Sequence, residues 1–469
     1  MVPLVARPIP ATSQRRWPVV ACAVIASVAI TGVLLSPRRS RAQSFERGGG
    51  GVATSLAGAR AAAVTDATAL WHNPAGLALD ADPRRARLSL VAGLSVLAER
   101  SRYETTDHPR IHSTDGPRLA PRLAARRLLF DRELVLTLGY RLSWQRGLAF
   151  GRPLSKRTSP LPPLRFLGRR HESHEHAATL AIAGRRGVLA FGVAVEVGYA
   201  SLGGEREIFA GGAADPLAHG GHAMNARWSL GGPSLGGRAG VLVSPAWWLR
   251  VGLAVELPRW SALSGALELT PPTRPPSGAT TAVTRDGEAK TTLLDPLALA
   301  LGFAMNLSRD LRLLAELGLR LPAGDASLRP RDATLVLDAG KSGERVLPSP
   351  ELPLHPGRPI RWRGQLGLAW SLLDGLLTLR GGWSYVTAGL DGAPTSALSD
   401  LAHHRLALGL SMARGRWRAS FALAHDVLAR TRLSRLPLSM LPEARPSEPM
   451  AGELSTARTR LLAEVRLNL

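Results

Sequence analysis

Long stretches of the chain alternate, residue by residue, between large apolar side chains and small or charged ones. In residues 189–199 the odd positions are large and apolar, whereas the even positions include Gly192, Ala194 and Glu196. A period of two puts successive side chains on opposite faces of a β-strand, so the pattern predicts an all-β chain. The same alternation occurs in residues 88–96, 134–144, 249–257, 297–306, 311–320, 360–370, 377–385, 406–412 and 461–469.

The two faces of these strands differ in chemistry, and the difference predicts a transmembrane β-barrel. One face is almost entirely apolar, while the other mixes Arg and Glu with Gly and Ala. Strands of about ten residues can cross a bilayer when they are tilted. A barrel in lipid turns its apolar residues outward and its mixed residues toward the lumen, with Tyr and Trp near the strand ends. A soluble β-sandwich, which buries its apolar faces against each other, is the alternative.

The predicted connections alternate between short and long. Short turns are expected at residues 131–132, 184–186, 244–246, 308–310, 373–375 and 414–415, and long loops at 101–117, 152–172, 261–289, 323–358 and 429–457. Six short turns join twelve strands, and a first strand from about residue 87 and a last strand ending at Leu469 bring the number to fourteen. This asymmetry is typical of outer-membrane barrels. Residues 87–469 are therefore predicted to form a 14-stranded antiparallel transmembrane β-barrel.

The first 43 residues have the features of a secretory signal peptide. Arg15 and Arg16 precede an apolar run at residues 17–35, and Ala42 offers a small residue for cleavage. An uncleaved membrane anchor is the alternative, because the apolar run is also long enough to span a bilayer. The single cysteine, Cys22, lies inside this segment. The mature chain would then have no cysteine, which excludes disulfide scaffolds and cysteine-based zinc sites.

The net charge of +23 raises the possibility of a nucleic-acid-binding protein. The basic residues, however, are neither clustered on predicted helices nor interleaved with aromatic residues. Many of them alternate with apolar residues along predicted strands, which puts them on one face of a sheet. We therefore expect no nucleic-acid partner.

Residues 44–86, between the signal and the first strand, are predicted to form a separate plug. Residues 58–78 are rich in small side chains and end in Asn73, Pro74, Ala75 and Gly76, which are typical turn residues. This segment, followed by fourteen strands, resembles the FadL family of outer-membrane long-chain fatty-acid transporters and their hydrocarbon-transporting relatives. In that family the segment folds back into the barrel as a plug, or hatch. The resemblance implies that residues 73–76 form a gate.

Two further segments share the resemblance. Residues 206–211 look like the start of the family's third long loop, which makes Arg206 and Phe209 candidate ligand-binding residues. Arg206 lies two residues, one step on the same strand face, from the position that the family uses. Residues 147–149 resemble the continuation of the family's third strand, where that strand has a kink.

The resemblance implies a function without covalent chemistry. We expect a monomer in outer-membrane lipid that takes up hydrophobic small molecules, such as long-chain fatty acids or aromatic hydrocarbons, by passive transport. No cofactor or catalytic residue is expected. A structural or secretion-partner barrel without transport activity is the alternative, and an apolar pocket above the plug would favour transport.

Two patterns nevertheless suggest an enzyme or a metal site. Ser234 occupies the central position of a Gly-x-Ser-x-Gly pattern, which acts as a nucleophile elbow only between a strand and a helix. Here a barrel strand is predicted to follow directly. A group of imidazoles and neighbouring carboxylates could hold a divalent ion, but a solvated loop end is the favoured interpretation. That group consists of His171, Glu172, His174, Glu175 and His176.

Charged residues on the lumen face are expected to pair across the barrel and brace the plug. The alternative is that one or two of the arginines meet a ligand carboxylate. The lumen-facing charged residues are Arg141, Glu196, Glu256, Arg312, Glu316, Arg320, Arg361, Arg363 and Arg380.

Overall fold

The computed structural model describes residues 50–79, 88–104, 111–113, 116–129, 134–150, 168–210, 220–275, 279–322, 326–338, 340, 343–355, 360–387, 402–428, 431–435 and 450–469. The predicted signal peptide, its cleavage site and residues 44–49 and 80–86 of the predicted plug lie outside these residues. Cleavage near Ala42 and the domain limits at residues 43 and 86 therefore stay predictions.

The described chain is almost entirely β-structure, with a few short helices near the N-terminus and in turns. In chain order the strands are β1 (Leu88–Glu104), β2 (Ile111–His112), β3 (Arg118–Leu129), β4 (Leu134–Ala149), β5 (Arg170–Arg186), β6 (Leu189–Phe209), β7 (Ala223–Ala246), β8 (Leu249–Glu256), β9 (Arg259–Thr270), β10 (Thr281–Arg285), β11 (Gly287–Asp295), β12 (Ala298–Asn306), β13 (Leu311–Arg320), β14 (Ala326–Arg331), β15 (Thr334–Asp338), β16 (Glu344–Pro348), β17 (Leu352–His355), β18 (Arg361–Leu372), β19 (Leu377–Val386), β20 (His403–Arg414), β21 (Trp417–Leu428), β22 (Thr431–Arg435) and β23 (Met450–Asn468). The helices are α1 (Gly51–Ser55) and the 3-10 helices η1 (Ala67–Trp71), η2 (Pro74–Ala78), η3 (Gly220–His222) and η4 (Leu373–Gly375). Among the residues that the structure describes, no helix is both long enough and apolar enough to cross a membrane.

The prediction of a closed barrel of fourteen antiparallel strands is confirmed. Each wall strand pairs with the next along the chain, and β23 returns to pair with β1 from Ser89–Asn468 to Glu104–Glu453. Two wall strands are interrupted at prolines, which lack the N–H that a sheet requires. Pro258 separates β8 from β9, and Pro296 separates β11 from β12, so that each pair counts as one wall strand.

The predicted faces are also confirmed. On β6 the side chains of Phe191, Val193 and Val195 are exposed on the outside, while the alternating Ala190, Gly192 and Ala194 are buried on the lumen side. Because an exposed apolar belt of this extent is stable only against lipid, the outer surface has the character of a membrane barrel. The tight turns lie close to their predicted positions, for example at residues 187–188 and 415–416.

Three predicted long loops are wrong in their interior, and one of them, at residues 429–457, contains β22 and the first eight residues of β23. The predicted loop at 261–289 contains most of β9 and all of β10, and the predicted loop at 323–358 contains β14 to β17. Wall strands are also longer than the predicted ten residues, since β6 has 21 residues and β7 has 24. Beyond the bilayer a strand no longer needs an apolar outer face, so its sequence loses the alternation that reveals it. Strands β10, β15 and β16 form a separate three-stranded sheet at this long-loop end.

Candidate functional site

The plug consists of residues 50–79 in the structure and lies inside the barrel lumen. Its large side chains, including Leu70, Trp71 and Leu77, are almost completely buried. They pack with lumen-facing wall residues such as Val135 and Leu242 into one apolar core. Plug and wall residues thus share one core cluster. The plug occupies the lumen between the short-turn end and the middle of the barrel.

Local side-chain bonds explain why the plug forms short 3-10 helices instead of strands. The Asp66 carboxylate accepts hydrogen bonds from the backbone N–H of Thr68 (2.9 Å) and from its hydroxyl (2.5 Å), which starts η1. The Asn73 side chain accepts from the N–H of Ala75 at 3.2 Å, and Pro74 supplies the first residue of η2. Asp66 and Asn73 are thus typical helix N-cap residues. Proline is favoured at the first helical position, which Pro74 occupies.

Asn73 also joins the plug to itself and to the barrel wall. Its Nδ2 donates to the carbonyl oxygen of Ala61 at 2.6 Å, and it lies 3.4 Å from the carbonyl oxygens of Val241 and Leu253 on β7 and β8. The side chain is completely buried. The four predicted gate residues are therefore brought together as one buried turn that touches the wall. Whether the turn acts as a gate is a matter of function and is taken up below.

The wall makes room for this turn by omitting side chains. A Cβ at Gly192 of β6 would lie 2.5 Å from the carbonyl carbon of Pro74, and a Cβ at Gly240 of β7 would overlap Oδ1 of Asn73. Glycine is the residue that allows such a close backbone approach. Gly192 occupies the lumen face that alternation predicts, but the sequence does not reveal what either glycine contacts.

Lumen-facing acids and an amide hold the plug by its backbone. Glu316 on β13 accepts from the N–H groups of Arg60 and Ala61, both at 2.6 Å, and Glu464 on β23 accepts from the N–H of Gly51 at 3.1 Å. On β18, Gln365 donates to the carbonyl oxygen of Ala57 at 2.8 Å. These bonds agree with the expectation that lumen charges brace the plug. Sequence analysis missed Gln365 and Glu464 in this role, although both lie on the predicted lumen face.

A network of buried ion pairs lies on the long-loop side of the plug. Glu196 on β6 contacts Arg141, Arg238 and Arg259, which come from three other wall strands. Arg238 also pairs with Glu256 at 2.8 Å, and Arg363 pairs with Glu316 at 2.6 Å. Buried charges are tolerated in proteins when they are paired in this way. Of the nine charged residues predicted on the lumen face, six take part in ion pairs with Glu196, Glu256 or Glu316 as arginine or as acid: Arg141, Glu196, Glu256, Glu316, Arg320 and Arg363.

An apolar cluster occupies the long-loop end of the lumen, beyond the ion pairs. It combines Leu202 of β6, Met224 and Trp228 of β7, and residues of the loop-end strands such as Leu335 and Leu352. Arg206 and Phe209 lie in this region, at the end of β6, and are 2% and 0% exposed. Nη1 of Arg206 donates to the carbonyl oxygen of Pro353 at 3.3 Å. The structure therefore places both predicted ligand residues beside the apolar cluster, and Arg206 contacts a neighbouring loop-end strand.

Strand β6 shows the order of these layers along the barrel. From the short-turn end, its lumen face presents Gly192 to the plug, Glu196 to the ion pairs, and Leu202 and Ile208 to the apolar cluster, with Arg206 between these last two. The lumen is thus divided into a plug, a charged layer and an apolar layer.

A cavity of about 80 Å³ borders the plug on its long-loop side. It is lined by His72 and Trp71 of the plug and by wall residues at the loop-end halves of β8, β12, β13 and β18 to β20. Its lining is rich in arginine, with six guanidinium groups. This cavity is therefore not the kind of apolar pocket above the plug that would favour transport over a structural role. Large apolar residues of the lumen instead pack together farther from the plug, in the cluster that contains Leu202.

The surroundings of Ser234, the centre of the Gly-x-Ser-x-Gly pattern, differ from those of a nucleophile elbow. Ser234 lies in the middle of β7, without a helix after it, and its hydroxyl donates to Glu175 at 2.6 Å. That carboxylate is also held by Arg259. The hydroxyl therefore bonds to an acid and is part of the ion-pair layer, which is not the arrangement of a nucleophile with a histidine base.

The histidines at residues 171–176 belong to strand β5, so the expectation of a solvated loop end is wrong. His176 faces outward, where its Nδ1 lies 2.8 Å from the hydroxyl of Tyr140, and its ring packs edge-on against His174 at 5.7 Å between centroids. Glu175, between them in sequence, faces the lumen because strand side chains alternate. Among the residues that the structure describes, no three histidine or acidic groups are placed to hold a metal ion together.

The third wall strand, β4, contains an irregularity near the predicted kink. Its pairing with β5 steps from Trp144–His174 to Arg146–Ser173, which leaves an extra residue at Gln145. Such a β-bulge bends a strand and weakens its hydrogen bonding to the neighbouring strand. The bulge lies two residues before the segment at 147–149 in which a kink is expected.

Several solved structures have the same fold as this chain. The chain is similar to a FadL homologue of Pseudomonas aeruginosa (TM-score 0.67, 12% identity, covering 92% of this chain and 99% of that one). It is equally similar to the toluene transporter TodX of Pseudomonas putida (TM-score 0.67, 16% identity, covering 91% and 100%). The toluene transporter TbuX of Ralstonia pickettii gives a TM-score of 0.62 at 16% identity, covering 91% and 100%. No protein-family model matches the chain, and no curated protein is significantly similar in sequence. The chain has the fold of the FadL-type barrels, as the plug and strand pattern predict.

Proposed function

From this fold, we propose that the chain is an outer-membrane channel for the passive uptake of hydrophobic small molecules, with residues 50–79 as its gate. Long-chain fatty acids and aromatic hydrocarbons are the expected cargo classes. The solved structures that share the fold at full length are described as FadL and toluene-transporter proteins, which supports transport rather than catalysis.

The layered lumen is the observation that carries this proposal. An open pore for polar solutes would have a continuous wet passage, whereas this lumen combines an apolar layer at the loop end with a plug that is buried at its centre. An apolar layer offers a favourable environment for an apolar solute and a poor one for ions. A closed plug below it means that passage requires either a shift of the plug or an exit through the wall.

The β-bulge in β4 supports an exit through the wall. At Gln145 the regular pairing between β4 and β5 is interrupted. This interruption lies close to the ion-pair layer, which includes Arg141 and Glu196. An apolar solute that leaves the apolar layer would meet buried ion pairs on the direct path toward the short-turn end. A lateral path to lipid avoids the cost of crossing that charged layer. A small movement of the turn at residues 73–76, which contacts β6 and β7, would then open or close the route.

Uptake by cells that make the protein tests the proposal. We expect labelled toluene or hexadecanoate to enter faster in cells with the parent chain than in cells without it. Gly192→Val should force the Pro74 turn off the wall and change uptake several-fold at equal surface amounts. The matched control is Gly364→Val, because a Cβ at Gly364 meets no atom within 4 Å.

The possible outcomes separate the channel from its gate. Uptake by the parent no faster than in cells without the protein would contradict transport and favour a structural or secretion-partner barrel. Transport by the parent with identical rates for Gly192→Val and Gly364→Val would keep the channel and contradict the role of the plug as its gate.

A further inference from the structure

The arginine-lined cavity beside the plug has a chemistry that uptake of neutral hydrocarbons does not use. Among the described residues that line it, Glu256 is the one acid, against six arginines. The arginines are Arg60 of the plug and Arg238, Arg320, Arg361, Arg363 and Arg405 of the wall. One wall of the cavity is formed by the plug itself, through Trp71 and His72.

Several of these arginines pair with acids in or behind the lining. Arg363 pairs with Glu316 at 2.6 Å, and Arg405 pairs with Asp426 at 2.5 and 2.7 Å. Arg238 and Arg320 share Glu256, at 2.8 and 3.4 Å. Arg238 also reaches Glu196, but that carboxylate is already shared with Arg141 and Arg259 as well. Among the described lining residues, arginines still outnumber acids six to one, and a cleft lined by one sign of charge attracts ions of the other sign.

His72 gives a second and independent indication. The residue is 5% exposed and lines the cavity, yet neither Nδ1 nor Nε2 has a hydrogen-bond partner among the described residues. An imidazole in either tautomer carries at least one N–H donor. Buried donors in folded proteins are nearly always bonded, and leaving one unbonded is costly. The side chain is thus placed to donate to an acceptor inside the cavity.

We propose that this cavity is a binding site for an oxyanion, a carboxylate or a phosphate, held between the wall arginines and His72. The forked guanidinium group matches both anions, and their oxygens can accept the imidazole N–H. A volume of about 80 Å³ is enough for several water molecules and so for one such group. For a carboxylate the inference deepens the proposed uptake of fatty acids, on which it then rests, whereas for a phosphate it goes beyond that function. In both cases the bound anion contacts plug and wall together.

Binding to the full chain in a neutral detergent tests the proposal, with inorganic phosphate, octanoate and octanol as the three probes. Binding is measured by calorimetry and by the change in tryptophan fluorescence, to which Trp71 of the lining contributes. We expect saturable binding of phosphate or octanoate, and at most weaker binding of octanol, which lacks the anionic headgroup that the arginines bind. Comparable affinities for the two anions would identify a site for free oxyanions. Octanoate binding far tighter than that of phosphate would identify the headgroup of an amphiphile.

Two variants and one control locate the site. His72→Phe removes the imidazole without breaking a protein hydrogen bond, and Arg361→Gln removes one guanidinium of the lining. Each should weaken anion binding on the order of tenfold, as the loss of a hydrogen bond to a charged group predicts. Arg380→Gln is the control, because Arg380 faces the lumen but bonds to Ser411 at 2.5 Å outside the cavity.

Three results would overturn the site. These are no saturable binding of either anion to the parent, octanol binding as tight as octanoate binding, or an equal loss of affinity in Arg380→Gln and His72→Phe. All variants should keep the heat-modifiable electrophoretic mobility of a folded barrel. A difference in affinity then reflects the site and not a loss of folding.

Discussion

At the scale of single residues, Asn73 connects three parts of the molecule. Its side chain caps η2, bonds to the carbonyl oxygen of Ala61 within the plug and approaches two wall carbonyls. An asparagine can do this because its amide both accepts and donates. Asp in this position would lose the donor, and Ala would lose all of these bonds.

Asn73→Ala is expected to loosen the plug while sparing the barrel. Loss of the cap and of the buried bond to Ala61 should destabilise the turn by about 1–3 kcal/mol, since a buried carbonyl is left without its donor. Hydrogen exchange followed by mass spectrometry would show faster exchange in residues 61–76 and unchanged exchange in the wall strands. Asn306→Ala is the matched control, because its amide donates to the carbonyl of Trp247 in an exposed turn (2.9 Å). Equal exchange in both variants would contradict the role of Asn73.

At the scale of elements, the plug depends on side chains of the wall because its own secondary structure is short. Helix α1 and the two 3-10 helices have five residues each, too few to be stable alone. Glu316, Gln365 and Glu464 bond directly to plug backbone groups from three different wall strands. The plug is therefore an element that the barrel holds in shape.

Glu316→Ala should release the segment around Ala61. The change leaves two plug N–H groups unbonded and removes the carboxylate partner of Arg363, and breaking a buried pair typically costs about 3–5 kcal/mol. A cysteine introduced by Thr65→Cys reports the release through its rate of reaction with a maleimide, which we expect to rise on the order of tenfold or more.

The matched control for Glu316→Ala is Glu268→Ala. Its partner Arg227 is 3.9 Å away and both side chains are more than half exposed, so the pair contributes little. A Thr65→Cys labelling rate that is the same with and without Glu316 would show that the plug holds its shape without this carboxylate.

At the scale of the whole molecule, closure of the barrel depends on the wall alone. Strands β1 and β23 pair over their length, and each wall strand has neighbours on both sides. A closed sheet satisfies its backbone groups without an edge, which a bilayer requires. The plug fills the lumen but contributes no strand to this sheet.

Deletion of residues 50–79 should consequently leave a folded barrel that conducts ions. We expect the shortened chain to keep its heat-modifiable mobility in electrophoresis and to raise conductance in planar bilayers above that of the parent, because the plug no longer fills the lumen. By contrast, Ala463→Pro in β23 should abolish the folded band, since proline removes a ladder hydrogen bond in a strand paired on both sides. A plug deletion that fails to fold would show that closure needs the plug.

The sequence by itself determined the class of fold, the number of wall strands and, for the ten alternating stretches, the face that turns outward. In the membrane, every outward-facing residue of the wall contacts lipid and is therefore apolar, whatever the rest of the structure. This requirement appears in the sequence as a period of two, which can be recognised without knowing which residues are in contact. Residues such as Phe191 and Val193 follow it, and so does the lumen position of Glu196. The turn at residues 73–76 was also visible, because Asn and Pro restrict the backbone locally.

Only the tertiary structure decided what the lumen residues meet. The contact of Gly240 with Asn73, the bonds of Glu316 to the plug and the gathering of six arginines around His72 join residues far apart in sequence. A local pattern gives the face of a strand but not the partner across the barrel, since the partner depends on register and on barrel closure. The loop-end strands β9 to β11 and β14 to β17 were hidden because outside the bilayer no contact with lipid marks their faces.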